Sequence, residues 1–397
     1  MPSPSASGTA LDSVSPPSAP SPNRPDGLEN GAPSSALPVS SLGAPPKGSF
    51  LRRHWAKTLA SLLIALAFVL ILRRGGLPLV PPRTAFARLR WDYLSLHLGL
   101  LMTMHVVRAI RWRHLLRPIA PDISTRRVLA ASWIGFTAIL LFPLRAGEIV
   151  RPYLIRDGKR IGMSAALGTM GAERVIDGLV VTAVLAGALV FVPHLEPLPQ
   201  SFGDLKIPVA AIPAAGWAAL TLFVCAFLAM AVFYFARTFA RRVVAATFGR
   251  ISPALGDRVA HIVEGVADGL HFLGGRRYAV PFMLETFAYW TLNAVGMWIL
   301  GLACGLPMTL GHACAVMGVV AVGILVPAGP GLFGAFQAAT YGALAMFFSR
   351  EMVTDQGAAY VFLLYTIQFV WHLIAAGIGA LLDPRVRERA DDAVARA

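Results

Sequence analysis

Long apolar stretches recur along this sequence between residues 56 and 382. They lie at 56–72, 93–107, 128–142, 175–192, 214–235, 280–302, 312–326, 332–348 and 358–382. Most lack the polar positions, repeated every ~3.6 residues, that mark the solvent face of a soluble helix. Several approach the ~20 residues that a helix needs to cross the hydrocarbon core of a bilayer. The pattern predicts an all-α integral membrane protein with about eight transmembrane helices.

Proline and glycine interrupt this pattern twice, at 143–147 and at 327–331. Proline lacks a backbone N–H and clashes with the preceding helical turn, so neither segment can continue a regular helix. We therefore expect one or two re-entrant or broken helices. Paired interruptions of this kind mark binding sites between the repeats of transporter folds. The second interruption, with Pro327, Gly329 and Gly331, has the alternative interpretation of a tight turn between two spans.

Charge supports the membrane interpretation and indicates an orientation. Only 14% of the residues are charged, and the formal net charge is +14. The arginines border apolar stretches, as in cytoplasmic loops under the positive-inside rule. We predict a multi-pass protein of the cytoplasmic (inner) membrane with both termini cytoplasmic and a cytoplasmic loop at 108–127. A re-entrant segment at 128–142 would keep the arginines of 145–160 on that side, whereas those at 73–90 would be external and violate the rule.

The chain divides into three segments by composition. Residues 1–50 are rich in Pro, Ser, Ala and Gly and predict a disordered cytoplasmic tail. Residues 51–384 form the transmembrane domain, and residues 385–397 a charged cytoplasmic tail. No basic domain stands apart from the membrane, so we predict no nucleic-acid partner.

Metal, cofactor and covalent chemistry have little support in the sequence. The three cysteines lack metal-ligand spacing, and no nucleotide-binding or nucleophile motif is present. We predict no metal, no cofactor and no catalytic residue. Four histidines in or near apolar stretches are interpreted as packing residues: His97, His105, His312 and His372.

The first charged cluster surrounds the first interruption. Arg145 precedes Gly147, and Glu148 and Arg151 follow it one helical turn apart. A charged side chain beside an apolar segment costs free energy when the segment enters the membrane. Such residues are therefore retained where they pair with an opposite charge or take part in function. Arginine suits bidentate capture of phosphate, so we favour a binding role for Arg145 and Arg151.

A second cluster, Glu173, Arg174 and Asp177, follows at helical spacing. Two interpretations stay open for its acids. They line a binding site, or the two clusters pair with each other and the arginines only neutralise Glu173 and Asp177.

The two clusters and the segment 327–334 together resemble the transmembrane domain of the lysylphosphatidylglycerol synthases, which also occurs alone in flippase-like proteins. The resemblance covers about 55–382. It implies a membrane protein that binds or translocates a lipid with an anionic or sugar-bearing head group. By match to its motifs it implies these binding residues: Arg145, Gly147, Glu148, Arg151, Glu173, Arg174, Asp177, Pro327, Gly329 and Gly331.

This sequence departs from the family pattern in two respects. Gln337 stands where the family usually has a glutamate after the Pro/Gly turn, so hydrogen bonding is kept but charge is lost. The sequence also ends at Ala397 without the soluble aminoacyl-transferase domain of the full-length synthases. We therefore expect no lysine transfer by this polypeptide alone.

Three functions are consistent with these patterns. The leading hypothesis is a lipid flippase or transporter, not an enzyme, whose partner is an anionic phospholipid, a polyprenyl-phosphate or a glycolipid. The second is a membrane transferase acting on a polyprenyl-phosphate or phospholipid, with Glu148 or Asp177 as base. The third is a non-catalytic partner of a separate lipid synthase.

Overall fold

A computed structural model describes residues 50–142, 147–157, 160–201, 204, 209–235, 269–326 and 328–396. Residues 1–49 of the predicted tail 1–50, Arg145 and Pro327 lie outside the described residues. The described part contains α-helices and short 3-10 turns, and no strand is found in it. The helices are α1 (Phe50–Arg74), α2 (Trp91–Ile110), α3 (Trp112–Leu116), α4 (Thr125–Leu141), α5 (Val150–Ile155), α6 (Met163–Phe191), α7 (Ala211–Phe235), α8 (Arg276–Ala303), α9 (Leu310–Gly323), α10 (Ala335–Ala345), α11 (Arg350–Thr354), α12 (Gln356–Leu382) and α13 (Pro384–Arg396).

The all-α membrane architecture agrees with the sequence pattern. Within the described ranges, 4 helical segments are long and apolar enough to cross a membrane: Trp91–Leu116, Met163–Phe191, Ala211–Val232 and Arg350–Leu382. The helix Leu310–Gly323 is apolar but shorter. The total of about eight transmembrane helices stays a prediction.

Helices α4 and α5 form the first of two helical hairpins. Helix α4 ends at Leu141, and the chain returns along it through Gly147 and α5. A Cβ on Gly147 would lie 2.1 Å from the carbonyl oxygen of Ala138, so the returning backbone passes directly against α4. At the open end, Arg127 Nη2 donates to the carbonyl oxygens of Ile155 (2.9 Å) and Arg156 (3.0 Å). The chain thus returns to the level at which α4 begins, as expected for a re-entrant segment.

Helices α9 and α10 form the second hairpin. Helix α9 ends at Gly323 and α10 begins at Ala335, so the Pro/Gly segment breaks the helix as predicted. Near this tip a Cβ on Gly323 would lie 2.5 Å from Cβ of Ala339. At the open end, the ring of His312 packs against that of Phe347, with 4.8 Å between centroids. The second interruption is therefore a hairpin tip.

The two hairpins open at opposite ends of the bundle. The first opens beside α13, where Arg389 Nη1 donates to the carbonyl oxygen of Leu154 (3.4 Å). The second opens where Leu195, after α6, donates its N–H to the carbonyl oxygen of Met346 (2.9 Å). The short 3-10 turn Pro330–Leu332 at the second tip contacts α4. The tips therefore meet inside the bundle.

One part of the predicted topology was wrong. We expected a cytoplasmic loop from residue 108, but Arg108 lies in α2 and Arg111 at the junction of α2 and α3. The Arg111 side chain is 0% exposed. Each of these arginines has aromatic rings beside it, which allow a buried guanidinium to interact with π faces. The helical segment Trp91–Leu116 therefore extends beyond the apolar stretch 93–107, because the bundle accommodates the arginines in its interior.

Candidate functional site

A chain of buried ion pairs links α3, α5 and α6. Arg111 binds Asp177 through two hydrogen bonds, Nη1 to Oδ1 at 2.6 Å and Nη2 to Oδ2 at 2.5 Å. Arg111 Nη2 also donates to Glu173 Oε1 at 2.9 Å, and Glu173 Oε2 accepts from Arg151 Nη1 at 2.7 Å. Thr286 and Trp290 on α8 add contacts to Arg111 and Asp177 at 3.2 and 3.3 Å. Both acids of the second cluster are thus bound by arginines.

Aromatic rings enclose the cationic side of this network. The Arg151 guanidinium carbon lies 3.9 Å from the ring centroid of Trp112 and 4.8 Å from that of Phe136. Its Nε and Nη2 have no hydrogen-bond partner among the described residues, and the faces of the two rings stabilise the charge of the guanidinium. The Arg151 side chain is 0% exposed. Removal of one partner of such a buried ion pair strongly lowers the stability of the protein, because the charge of the other partner stays buried.

A cavity of about 580 Å³ lies above the network, between the tips of the two hairpins. Its charged walls are Arg108, Glu148, Arg174 and Asp177, which come from α2, the first hairpin and α6. Most of the remaining lining is apolar and comes from both hairpins and from α6, α7 and α12: Phe136, Ile139, Leu140, Val181, Phe223, Ala321, Val322, Ile324, Leu325, Leu332, Phe336 and Phe369. The cavity is therefore amphipathic.

Cationic groups outnumber anionic groups in the cavity and the network beneath it taken together. Arg108, Arg111, Arg151 and Arg174 outnumber the carboxylates of Glu148, Glu173 and Asp177 in and beneath the cavity. Within the described ranges, Nε and Nη2 of Arg174 and Nε of Arg108 are buried without a hydrogen-bond partner. Buried donors of this kind are costly unless a ligand or water accepts from them. The walls are thus suited to an anion.

The predicted site residues occupy different places. Those that line the cavity are Glu148, Arg174, Asp177 and Gly331. Arg151 and Glu173 lie in the ion-pair network below it, and Gly147 packs the first hairpin together. Gly329 packs against α1, where a Cβ would lie 2.3 Å from Cβ of Ala65. Arg145 and Pro327 lie outside the described residues.

Gln337 stabilises the second hairpin. Its Oε1 accepts a hydrogen bond from the N–H of Gly334 at 2.7 Å, at the start of α10. The side chain is 4% exposed and does not line the cavity. Gly334 has a φ of 90°, a left-handed conformation that a residue with a Cβ rarely adopts. The amide therefore caps a helix, and this role requires an acceptor oxygen but no charge.

Sequence reasoning missed Arg108 and Arg111 as site residues. Their spacing could have indicated that the helix continues, since both arginines follow an apolar stretch and lie about one helical turn apart. We assigned them to a loop because the positive-inside rule gives the same weight to every arginine after a span. Only the fold reveals that Arg111 reaches Asp177 across 66 positions of sequence.

Comparisons with known proteins agree with these observations. A family model described as the lysylphosphatidylglycerol synthase TM region matches residues 34–377. A curated relative, Glycosyltransferase AglD of Haloferax volcanii, is 26% identical over 248 residues, which cover 59% of this chain and 40% of that protein. The chain therefore spans less than half the length of this relative. No solved structure matches significantly. Because the family model covers most of the sequence, the chain belongs to the family of the lysylphosphatidylglycerol synthase transmembrane region.

Proposed function

We propose that this membrane protein binds a lipid with an anionic head group in the cavity and moves it across the bilayer. The observation that carries the proposal is the pair of cavity-lining arginines, Arg108 and Arg174, whose buried donors lack a protein acceptor within the described part of the chain. A phosphate oxygen supplies such acceptors and neutralises the excess positive charge.

The rest of the cavity supports a lipid rather than a free anion. Apolar side chains line the wall away from the arginines, with Leu325 at the second hairpin tip 47% exposed. A head group would bind at the arginines while acyl chains lie against these residues. Burial of each methylene against such a wall contributes about 0.8 kcal/mol, which a soluble phosphate cannot gain.

The hairpin arrangement supports movement across the membrane. The two hairpins open at opposite ends of the bundle and meet at the cavity, so a small displacement of either tip would expose it to one end. Broken helices that meet at the bilayer midplane form the substrate sites of secondary transporters.

A reconstituted scrambling assay tests the proposal. Purified protein is placed in phosphatidylcholine vesicles that carry trace fluorescent phosphatidylglycerol, a polyprenyl-phosphate or a neutral lipid, and an impermeant quencher reports exposure in the outer leaflet. We expect faster exposure of an anionic lipid, reduced at least about tenfold by Arg174→Gln or Arg108→Gln, since each removes a charge-assisted contact.

Arg160→Gln is the matched control. Arg160 pairs with Asp122 on the surface, where both side chains are more than half exposed (57% and 83%), and the substitution should leave the rate unchanged. If no anionic lipid is accelerated, or if both cavity variants equal the unsubstituted protein, the proposal is wrong.

A second candidate function is a membrane transferase acting on a lipid-linked phosphate. The name of the Haloferax volcanii relative, a glycosyltransferase, favours it. Both carboxylate oxygens of Asp177 already accept hydrogen bonds, two from Arg111 and one from Trp290. Glu148 also lines the cavity and is the second candidate for the base. Chemical conversion of labelled polyprenyl-phosphate by the purified protein, abolished by Glu148→Gln, would establish this alternative.

A further inference from the structure

Two buried histidines meet at the edge of the cavity. His105 on α2 and His372 on α12 have ring centroids 4.8 Å apart and ring planes at 82°. Their residues are 1% and 8% exposed, and His372 lines the cavity. Helix packing alone does not need two imidazoles here, since an apolar pair would fill the same volume without a desolvation cost.

The hydrogen bonds of the pair fix its tautomers. Nδ1 of His105 lies 2.9 Å from the carbonyl oxygen of Leu101, and Nδ1 of His372 lies 2.7 Å from that of Gln368. Because a carbonyl only accepts, Nδ1 carries the hydrogen in both neutral rings and Nε2 keeps its lone pair. In the part of the chain that the structure describes, Nε2 of His105 is buried and has no hydrogen-bond partner. Each ring can therefore take one more proton, at Nε2.

Several charged and titratable groups surround the pair. Arg108 lies about one helical turn after His105 on α2 and lines the cavity together with His372. Helix α8 contributes the phenol of Tyr289, and α4 presents Thr137, which donates to the carbonyl oxygen of His372 at 2.6 Å. The other ionisable groups that line the cavity are Glu148, Arg174, Asp177 and Tyr365. Arg108 repels an imidazolium until another group neutralises it.

We propose that His105 and His372 form a proton-binding site whose occupancy is coupled to the anion in the cavity. An anionic head group at Arg108 and Arg174 would offset the repulsion, so that Nε2 of one ring takes up a proton from water and forms an N–H bond. The inference rests on the proposed function and adds a source of energy for the lipid movement. By linkage, a proton must favour the bound anion as much as the anion favours the proton. A proton gradient would then bias the direction of lipid movement.

The test measures proton uptake on lipid binding. Purified full-length protein in weakly buffered neutral detergent receives phosphatidylglycerol, a phosphodiester with no proton of its own to exchange near neutral pH. Binding is followed by tryptophan fluorescence, and protons by a pH indicator, at several pH values between about 5 and 8. We expect uptake approaching about one proton per bound lipid, and affinity that falls by up to about tenfold for each unit of rising pH.

Three asparagine variants test which histidine takes up the proton. His105→Asn and His372→Asn keep a side-chain donor near Nδ1 but cannot titrate, and at least one of them should lose the proton uptake. His97→Asn is the matched control. His97 is also a buried histidine of α2, with Nδ1 2.8 Å from the carbonyl oxygen of Gly296, but it does not line the cavity. This variant should keep the proton uptake.

The outcomes separate the two proposals. Three results would overturn the proton site alone, provided that phosphatidylglycerol binds. They are binding without proton uptake, proton uptake retained in both variants of the pair, and an affinity that does not depend on pH. No binding of phosphatidylglycerol by the unsubstituted protein overturns the anion site for this lipid, and the coupled proton site with it. If one variant does not fold, the other variant and the pH dependence of the unsubstituted protein decide.

Discussion

Individual arginines in this protein have separate roles that sequence spacing does not reveal. Arg151 and Arg174 each lie near acids at helical spacing; the sequence favours binding for Arg151, and the family resemblance implies binding for Arg174. The structure places Arg151 under the cavity against Glu173 and places Arg174 in the cavity wall. The difference depends on which helix faces which, and one-dimensional spacing cannot encode it.

The two arginines should therefore respond differently to substitution. Arg151→Ala leaves Glu173 buried with one partner fewer, and we expect a loss of about 3–5 kcal/mol of stability. Arg174→Ala removes no ion pair found among the described residues and should cost much less. Thermal unfolding in detergent, followed by tryptophan fluorescence, measures both. If Arg151→Ala melts like the unsubstituted protein and yet loses lipid movement, Arg151 binds the head group as its motif suggested.

Gln337 provides a second test at this scale. Gln337→Leu removes the acceptor for the Gly334 N–H and should lower stability by about 0.5–2 kcal/mol, the usual cost of losing a helix cap. Thr340→Val is the control. Thr340 is also buried on α10, but its hydroxyl only donates to the carbonyl oxygen of Phe336, within the same helix. Urea unfolding should show the larger loss for Gln337→Leu, and equal losses would show that the cap is unimportant.

At the scale of elements, the apolar pattern and the two breaks were predictable. Proline and glycine act locally, so their effect on a helix can be inferred from sequence. The direction of the chain after each break could not be inferred in this way, because it depends on close approaches between helices. In the first hairpin, a Cβ on Gly135 would lie 2.6 Å from Cβ of Arg151, so α5 fits against α4 only where α4 lacks a side chain.

This close approach predicts that Gly135→Ala separates α4 from α5. The added methyl group would overlap Arg151 and displace it from Glu173, so we expect a loss of at least about 1–3 kcal/mol from overpacking. Gly171→Ala is the control, since Gly171 lies in α6 and a Cβ there meets nothing within 4 Å. That variant should gain up to about 1 kcal/mol from helix propensity. Thermal unfolding of both variants checks the opposite signs, and a Gly135→Ala protein as stable as Gly171→Ala would contradict the packing.

At the scale of the whole molecule, the two ends of the bundle differ in charge. The end at which the first hairpin opens carries Arg127, Arg156, Arg160 and Arg389, and the positive-inside rule places it in the cytoplasm. The opposite end carries the arginines after α1, which violate the rule. Some acids lie there too, since Arg90 pairs with Asp92 and Arg350 with Asp204. Neutralised arginines contribute less positive charge to that end, so the first end still determines the predicted orientation.

Labelling from one side of the membrane tests this orientation. Asp122 lies at the first end with its side chain 83% exposed, and Glu351 is exposed in α11 at the other end. In a protein whose native Cys225, Cys304 and Cys314 are replaced by alanine, we expect an impermeant maleimide outside intact cells to label Glu351→Cys and not Asp122→Cys. After lysis both should react, which controls for accessibility. The reverse pattern would place the basic end outside. Since the cavity lies between two hairpins that open at opposite ends, the pattern also determines which hairpin must move to admit a lipid from the cytoplasmic leaflet.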